Sequence, residues 1–292
     1  MLGKKETSMA KVSGLHRVGV RVPDLAAACD FYERVWSMEP VIAIAGERGF
    51  RSQGENHADL MLAAGDTAGL DHLGLAVASE ADLHALLERV GRAGHAVLSA
   101  PGQGVLAGDR LVAAVADADG NRVELIVPSE PSGPRATRSK RHLGHAVLWT
   151  PQVQAQEAFY ALIGFSVSDR THMGMSFLRC NTDHHSVALA ASRNGRKGLQ
   201  HMAFDIGGVD EVMREYARLR AAGAECIWGV GRHGPGNNVF AYFRDPAGLV
   251  VEYYGDMERV ESVEVTQARF WGPEHKGDIW GIAGAPPMQF RD

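Results

Sequence analysis

Residues 199–223 read LQHMAFDIGGVDEVMREYARLRAAG, and residues 70–94 read LDHLGLAVASEADLHALLERVGRAG. Each opens as an alternating apolar run with a histidine in third place. Each then passes through small and acidic residues into a helical pattern that ends at glycine. His72 and His201 are 129 residues apart, and so are the closing glycines Gly94 and Gly223. Outward from this pair the repeat continues. LHRVGVRVPDL from Leu15, followed by Phe31-Tyr32, recurs as LGHAVLWTP from Leu143, followed by Phe159-Tyr160. DADGNRVELIV and DPAGLVVEYY close the two halves, with Glu124 and Glu252 128 residues apart. One register kept through three motifs marks an internal duplication.

Each half divides again into two units of one plan. A histidine-bearing alternating strand comes first, then a helix (24–36, 80–92, 153–163 and 209–221), then short alternating runs such as 186–191 and 238–243. The expected fold is therefore α+β, with four βαβββ modules paired into two tandem barrel-like domains. The expected boundaries are a flexible leader at 1–12, a first domain at 13–129, and a polar, proline-bearing linker at 130–141. A second domain follows at 142–258, then a tail at 259–292.

Composition limits what such a chain does. It has 292 residues, 45% hydrophobic and 22% charged, with a net charge of −5 and no basic run. That excludes a disordered chain and lacks the positive footprint of a nucleic-acid or anionic-membrane binder. Cys29, Cys180 and Cys226 are odd in number and outside any metal spacing, which reads as reduced thiols. With no signal-like or membrane-length apolar run, the expectation is a soluble cytoplasmic protein. No glycine-rich phosphate loop follows a strand and opens a helix, so nucleotide binding is not expected.

His145, His201 and Glu252 fall on three different strands, each sharing a face with apolar neighbours two residues away (Val147; Ala203; Val250 and Tyr254). An inward carboxylate is costly unless it is paired or bound to a metal. Two neutral imidazoles and one carboxylate make a facial triad that leaves coordination positions open. The alternative is two satisfied core histidines and a glutamate paired with an arginine.

The fourfold βαβββ plan resembles the type I extradiol ring-cleaving dioxygenases of the vicinal oxygen chelate superfamily. The segments that carry the likeness are HLGHAVL (142–148), CNTDHHSVAL (180–189), GLQHMAFDI (198–206), and GRHGPGNNVFAYFRDPAG with VVEYY (231–254). The resemblance implies Fe(II), occasionally Mn(II), on His145, His201 and Glu252, with O2 as co-substrate and a vicinal aromatic diol as substrate. It also implies catalytic roles for His185, His233 and Tyr242, a commonly oligomeric assembly, and an N-terminal domain that serves as scaffold. The chemistry fits these residue types. A diol must lose a proton to chelate, which suits His185 as a base, while His233 and Tyr242 can donate hydrogen bonds to its oxygens. His184, next to His185, points to the opposite strand face and reads as structural.

The first half offers His16, His72 and Glu124 at the matching ligand positions and His57 at that of His185, but Ala114 at that of Tyr242 and Val105 at that of His233. Either these side chains form a second metal site, or they pair internally as a relic of the duplication. In the GRHGPGNN loop Asn237 and Asn238 are candidate substrate contacts, and in the tail Trp280 is another. The tail, which also holds Phe270, Trp271 and Phe290, either covers the second barrel or packs on its own domain or a neighbouring subunit. Trp228 and the scarcity of arginine near His233 favour an apolar or further hydroxylated ring. Two other activities share the fold class: a glyoxalase-type isomerase, lyase or transferase, and a non-catalytic small-molecule binder.

Overall fold

The computed structural model describes residues 9–41, 46–54, 56–129, 141–261 and 267–291. The stretches 1–8, 130–140 and 262–266, which fall in the expected leader, linker and tail, lie outside the described residues. The first module runs β1 (Val12–Val22), α1 (Leu25–Asp30), β2 (Glu39–Val41), β3 (Arg48–Arg51) and β4 (Leu60–Ala64). The second runs β5 (Gly69–Val77), α2 (Glu80–Arg92), β6 (Val97–Gly102), β7 (Asp109–Ala116) and β8 (Arg122–Pro128). The third runs β9 (His142–Thr150), α3 (Val153–Leu162), β10 (Ser166–Thr171), β11 (Met175–Arg179) and β12 (Val187–Ala191). The fourth runs β13 (Gly198–Asp205), α4 (Val209–Ala221), β14 (Glu225–Arg232), β15 (Val239–Arg244) and β16 (Val250–Gly255). The tail adds β17 (Arg269–Trp271). The four modules follow the expected plan strand for strand.

Local chemistry sets the helix ends. Asp24 accepts the Ala27 N–H and Ser79 accepts the Asp82 N–H, capping α1 and α2. The first helix is shorter than its pattern, because the backbone widens into a π turn over Phe31–Val35. That turn directs Phe31, Tyr32 and Trp36 into the core.

Within every module the first strand pairs in parallel with the last, which the helical crossover permits, and the strands between form antiparallel hairpins. The first strands of paired modules then join antiparallel, β1 to β5 and β9 to β13. This produces one sheet ordered β2-β3-β4-β1-β5-β8-β7-β6 and another ordered β14-β15-β16-β13-β9-β12-β11-β10-β17. One hydrophobic core joins the halves. Trp36 stacks on Tyr253 of β16 with ring centroids 4.0 Å apart and meets Phe204 and Phe243 edge-on. The Tyr32 hydroxyl donates to Asp245 at 2.8 Å, and the Tyr253 hydroxyl donates to the Trp36 carbonyl at 2.8 Å. No described helix is long and apolar enough to cross a membrane, and the three cysteines form no disulfide.

Candidate metal centre

His145 (β9), His201 (β13) and Glu252 (β16) sit on three neighbouring strands at the middle of the second sheet. All three are buried, and they present ligand atoms within 4.8 Å of one another. Glu252 Oε2 lies 3.1 Å from His145 Nε2 and 3.2 Å from His201 Nε2. A β-bulge places Gln200 beside His201, and Gln200 Oε1 accepts the His201 Nδ1 proton at 2.9 Å. His201 Nε2 then faces the glutamate as a lone pair, with no hydrogen-bond partner. Two acceptors aimed at each other suit a shared cation, so these residues fit a divalent metal. Asn238 donates to the other glutamate oxygen at 3.3 Å. Gly144 is required on β9, because a Cβ there would stand 1.8 Å from the Tyr254 hydroxyl. The close approach lets the Tyr254 ring pack on His145 at 4.8 Å.

Beside the triad lies a cavity of about 130 Å³ that His145, His201, His185, His233, Tyr242 and Asn238 all line. Val147, Met175, Phe177, Trp228 and Phe290 supply apolar walls, and no arginine or lysine is among its described lining residues. The His185 ring centre is 4.3 Å from that of His145, and burial pushes its pKa well down, so the ring is neutral. His233 donates from Nδ1 to the Gly277 carbonyl at 2.7 Å, which leaves Nε2 to accept the Tyr242 hydroxyl at 2.9 Å. Burial, and then the Glu252 charge, push the Tyr242 hydroxyl well above its ordinary range, so it keeps its proton. His184 turns away from the cavity, with Nδ1 3.0 Å from His185 Nδ1 and Nε2 3.0 Å from Asp169.

The first half is different, and it corrects the residue matching made on the sequence. Leu15 pairs with Leu75 and Arg17 with Gly74, so His16 is the extra residue of a β-bulge. On β9, Leu143 pairs with Phe204 and His145 with Ala203, and the extra residue is Gly144. Arg17, not His16, therefore stands where His145 does. Its guanidinium fills the ion position, donating to His72 Nε2 at 3.2 Å, Glu124 at 2.7 Å and Asp109 at 2.5 Å. His16, His72 and Glu124 pair around a built-in cation and do not form a metal triad. His57 is also out of register. Leu60 pairs with Val18 as Val187 pairs with Ala146, which puts Ala58 at the place of His185. Ala114 does face Glu124 as Tyr242 faces Glu252.

Two substrate-contact candidates are not brought to the cavity. Asn237 sits exposed at the apex of its turn with φ at 53°, while its neighbour Asn238 points inward. Trp280 is 41% exposed and lies under the Arg232 guanidinium, outside the lining. From the tail, Trp271, His275, Gly277, Pro286 and Phe290 reach the cavity instead. His172 and Gln200 also line it, and both were missed. The histidine follows a strand with no periodic mark, and the glutamine owes its inward turn to a bulge that alternation cannot foresee.

A curated relative, metapyrocatechase 2 of Cupriavidus necator, is 34% identical over 48% of this chain and 44% of its own length. The 2,2',3-trihydroxybiphenyl dioxygenase of Sphingomonas paucimobilis is 30% identical over 66% of this chain and 74% of its own. Among solved structures, a Mn(II)-bound glyoxalase from Novosphingobium aromaticivorans is 33% identical and superposes with a TM-score of 0.86, covering 96% of this chain and 94% of that one. Both halves, residues 14–125 and 142–253, match one family, and the chain belongs to the Glyoxalase/Bleomycin resistance protein/Dioxygenase superfamily.

Proposed function

We propose that the chain is an Fe(II)-dependent extradiol dioxygenase that opens an aromatic ring beside a vicinal diol, with residues 142–258 carrying the chemistry and 13–129 serving as scaffold. The observation that carries this reading is the convergence of His185, His233 and Tyr242 on the cavity beside the His145–His201–Glu252 triad. A divalent metal held by the triad would supply adjacent open positions where a diol and dioxygen can meet. The protein's own groups do the rest. Neutral His185 is free to take a proton from the diol. Tyr242, which keeps its proton, can turn its one O–H from His233 Nε2 to a substrate oxygen, while His233, whose own proton is committed to the Gly277 carbonyl, has none to donate. The apolar walls exclude water.

Cavity size and charge narrow the substrate. An apolar cavity of about 150 Å³ holds one benzene ring, and this one has about 130 Å³. A single ring without a carboxylate is the best fit. The assembly is read as a cytoplasmic homo-oligomer.

The test is anaerobic reconstitution with Fe(II), and in parallel with Mn(II), followed by oxygen uptake on a panel of catechols. The expected result is uptake with a yellow ring-opened product. Metal bound to the chain with no uptake on any diol would refute the reading. The likeness to the Mn(II)-bound glyoxalase favours a second reading, metal-dependent isomerisation, and in that event a hemithioacetal assay would be the next measurement.

A further inference from the structure

The cavity wall against His201 and Tyr242 comes from the tail. The Phe290 ring meets the His201 ring at 6.2 Å and the Tyr242 ring at 5.0 Å, both edge-on, and lies 5.7 Å from Trp228. The other apolar walls, Val147, Met175, Phe177 and Trp228, stand on β9, β11 and β14, where ladder hydrogen bonds fix the backbone. Phe290 stands on no strand. It is half-buried, so one side of the residue lines the cavity while the other meets solvent.

The tail is fixed in stages on its way to this place. β17 pairs with β10, and Arg269 and Trp271 both donate to Asp169, at 3.1 and 2.6 Å. Buried Asp278 then accepts the backbone N–H groups of Arg232 and Trp280 at 3.0 Å and of Ala283 at 2.7 Å. Farther on, Trp228 Nε1 donates to the Gly284 carbonyl at 3.2 Å, and Arg244 donates to Gln289 Oε1 at 2.6 Å. A single 3-10 turn at Met288–Phe290 brings the Phe290 ring to the cavity and leaves Met288 77% exposed.

We propose that Phe290 determines specificity: its ring is the stop that limits the substrate to one aromatic ring. The proposal rests on the reading of the cavity as a diol site and names the feature that sets its size. The space beside the triad, about 130 Å³, is close to the roughly 150 Å³ that holds one benzene ring. A second, fused ring fits only if a wall gives way. The walls borne on strands are packed into the sheet and resist displacement. Removing the Phe290 ring instead opens the cavity toward solvent, and it does so beside His201 and Tyr242, the groups between which a substrate is handled.

The test compares a one-ring with a two-ring diol. Catechol and naphthalene-2,3-diol are titrated without oxygen into the Zn(II)-loaded chain, and the heats of binding give Kd. Wild type should favour catechol. Phe290→Ala should shift the ratio of the two affinities toward the two-ring diol by at least about 10-fold, since one methylene already changes recognition in an apolar pocket by that much. Phe290→Trp should weaken catechol by a similar factor, and Met288→Ala, which faces solvent, should match wild type. Phe290→Leu makes the same comparison should the alanine variant fail to fold. In the Fe(II) enzyme the ratio of kcat/KM for the two diols should move in the same direction. A wild type that binds both diols equally, or a ratio unchanged in both the Phe290→Ala and Phe290→Trp variants, would overturn the proposal. Oxygen uptake on no diol refutes the dioxygenase reading, and the binding ratio then still decides the role of Phe290. If neither diol binds, phenol and 1-naphthol, which need no chelation, are compared in the same way; binding of neither would also overturn the proposal.

Discussion

Arg17→Met keeps the buried stem of the side chain and removes its charge. In wild type the guanidinium, 4% exposed, is paired with Asp109, 0% exposed, and Glu124, 10% exposed. Removing one partner of a buried ion pair costs about 3–5 kcal/mol, because the remaining charge is left uncompensated. Here two carboxylates are left, so the upper part of that range applies at pH 7. For a chain of this size that corresponds to a fall in Tm of roughly 8–20 °C. Burial raises and the Arg17 and histidine contacts lower both carboxyls, and the net effect holds Asp109 and Glu124 below their ordinary values. A depressed folded-state pKa stabilises above the unfolded value, near 4, and the stabilisation is lost as pH falls through the folded value. The difference between wild type and variant should therefore be largest at pH 7 and shrink as pH falls below about 4. Urea unfolding of both proteins at pH 7, 5 and 3.5 measures it. A variant within 1 kcal/mol of wild type at pH 7, by that measure, or a difference that does not change with pH, would refute the view that Arg17 stands in for an ion.

Glu252→Ala and His201→Ala should each lose bound metal while retaining the wild-type far-UV circular dichroism spectrum; full metal content by elemental analysis would remove either residue from the ligand set. Tyr242→Phe should keep the metal and lose about 100- to 1000-fold in kcat, the cost of one preorganised donor, as read by oxygen uptake; wild-type turnover would remove it from the mechanism. Trp36→Ala should cost about 3–5 kcal/mol of stability in calorimetry, and both halves should unfold earlier because the indole bridges them. An early transition confined to the first half would contradict the shared core.

Module order, helix positions and the clustering of His145, His201 and Glu252 were all legible in the sequence, because each is written as a period of residues. His145, His201 and Glu252 alternate with apolar neighbours, and α2 and α4 show three- and four-residue spacing. The mistaken pairing of His16 with His145 came from trusting residue type and a constant offset of 129. Register within a strand is set by pairing, and the bulge at His16 turns the chain so that Arg17 occupies the inward place. Asn237 and Asn238 looked alike in the sequence. The positive φ of Asn237 turns one side chain out and the next one in. The tail has no period at all, so nothing in its order of residues separates Phe290, which reaches the cavity, from Trp280, which does not. Its docking depends on Asp169, a hundred residues away along the chain.

Trp36 ties the first half to the strand that carries Glu252. On β16 successive side chains point to opposite faces, so Glu252 looks toward His145 and His201 while Tyr253 looks out onto the indole of the first half. In the first half Arg17 takes the place that His145 holds in the second, so no ion is needed to join its buried carboxylates. The outer face of the strand that carries Glu252 leans on Trp36, so a chain cut down to the second half would lose the wall behind its own triad. The first half thus contributes to the site through the back of a strand, with no side chain of its own beside the triad.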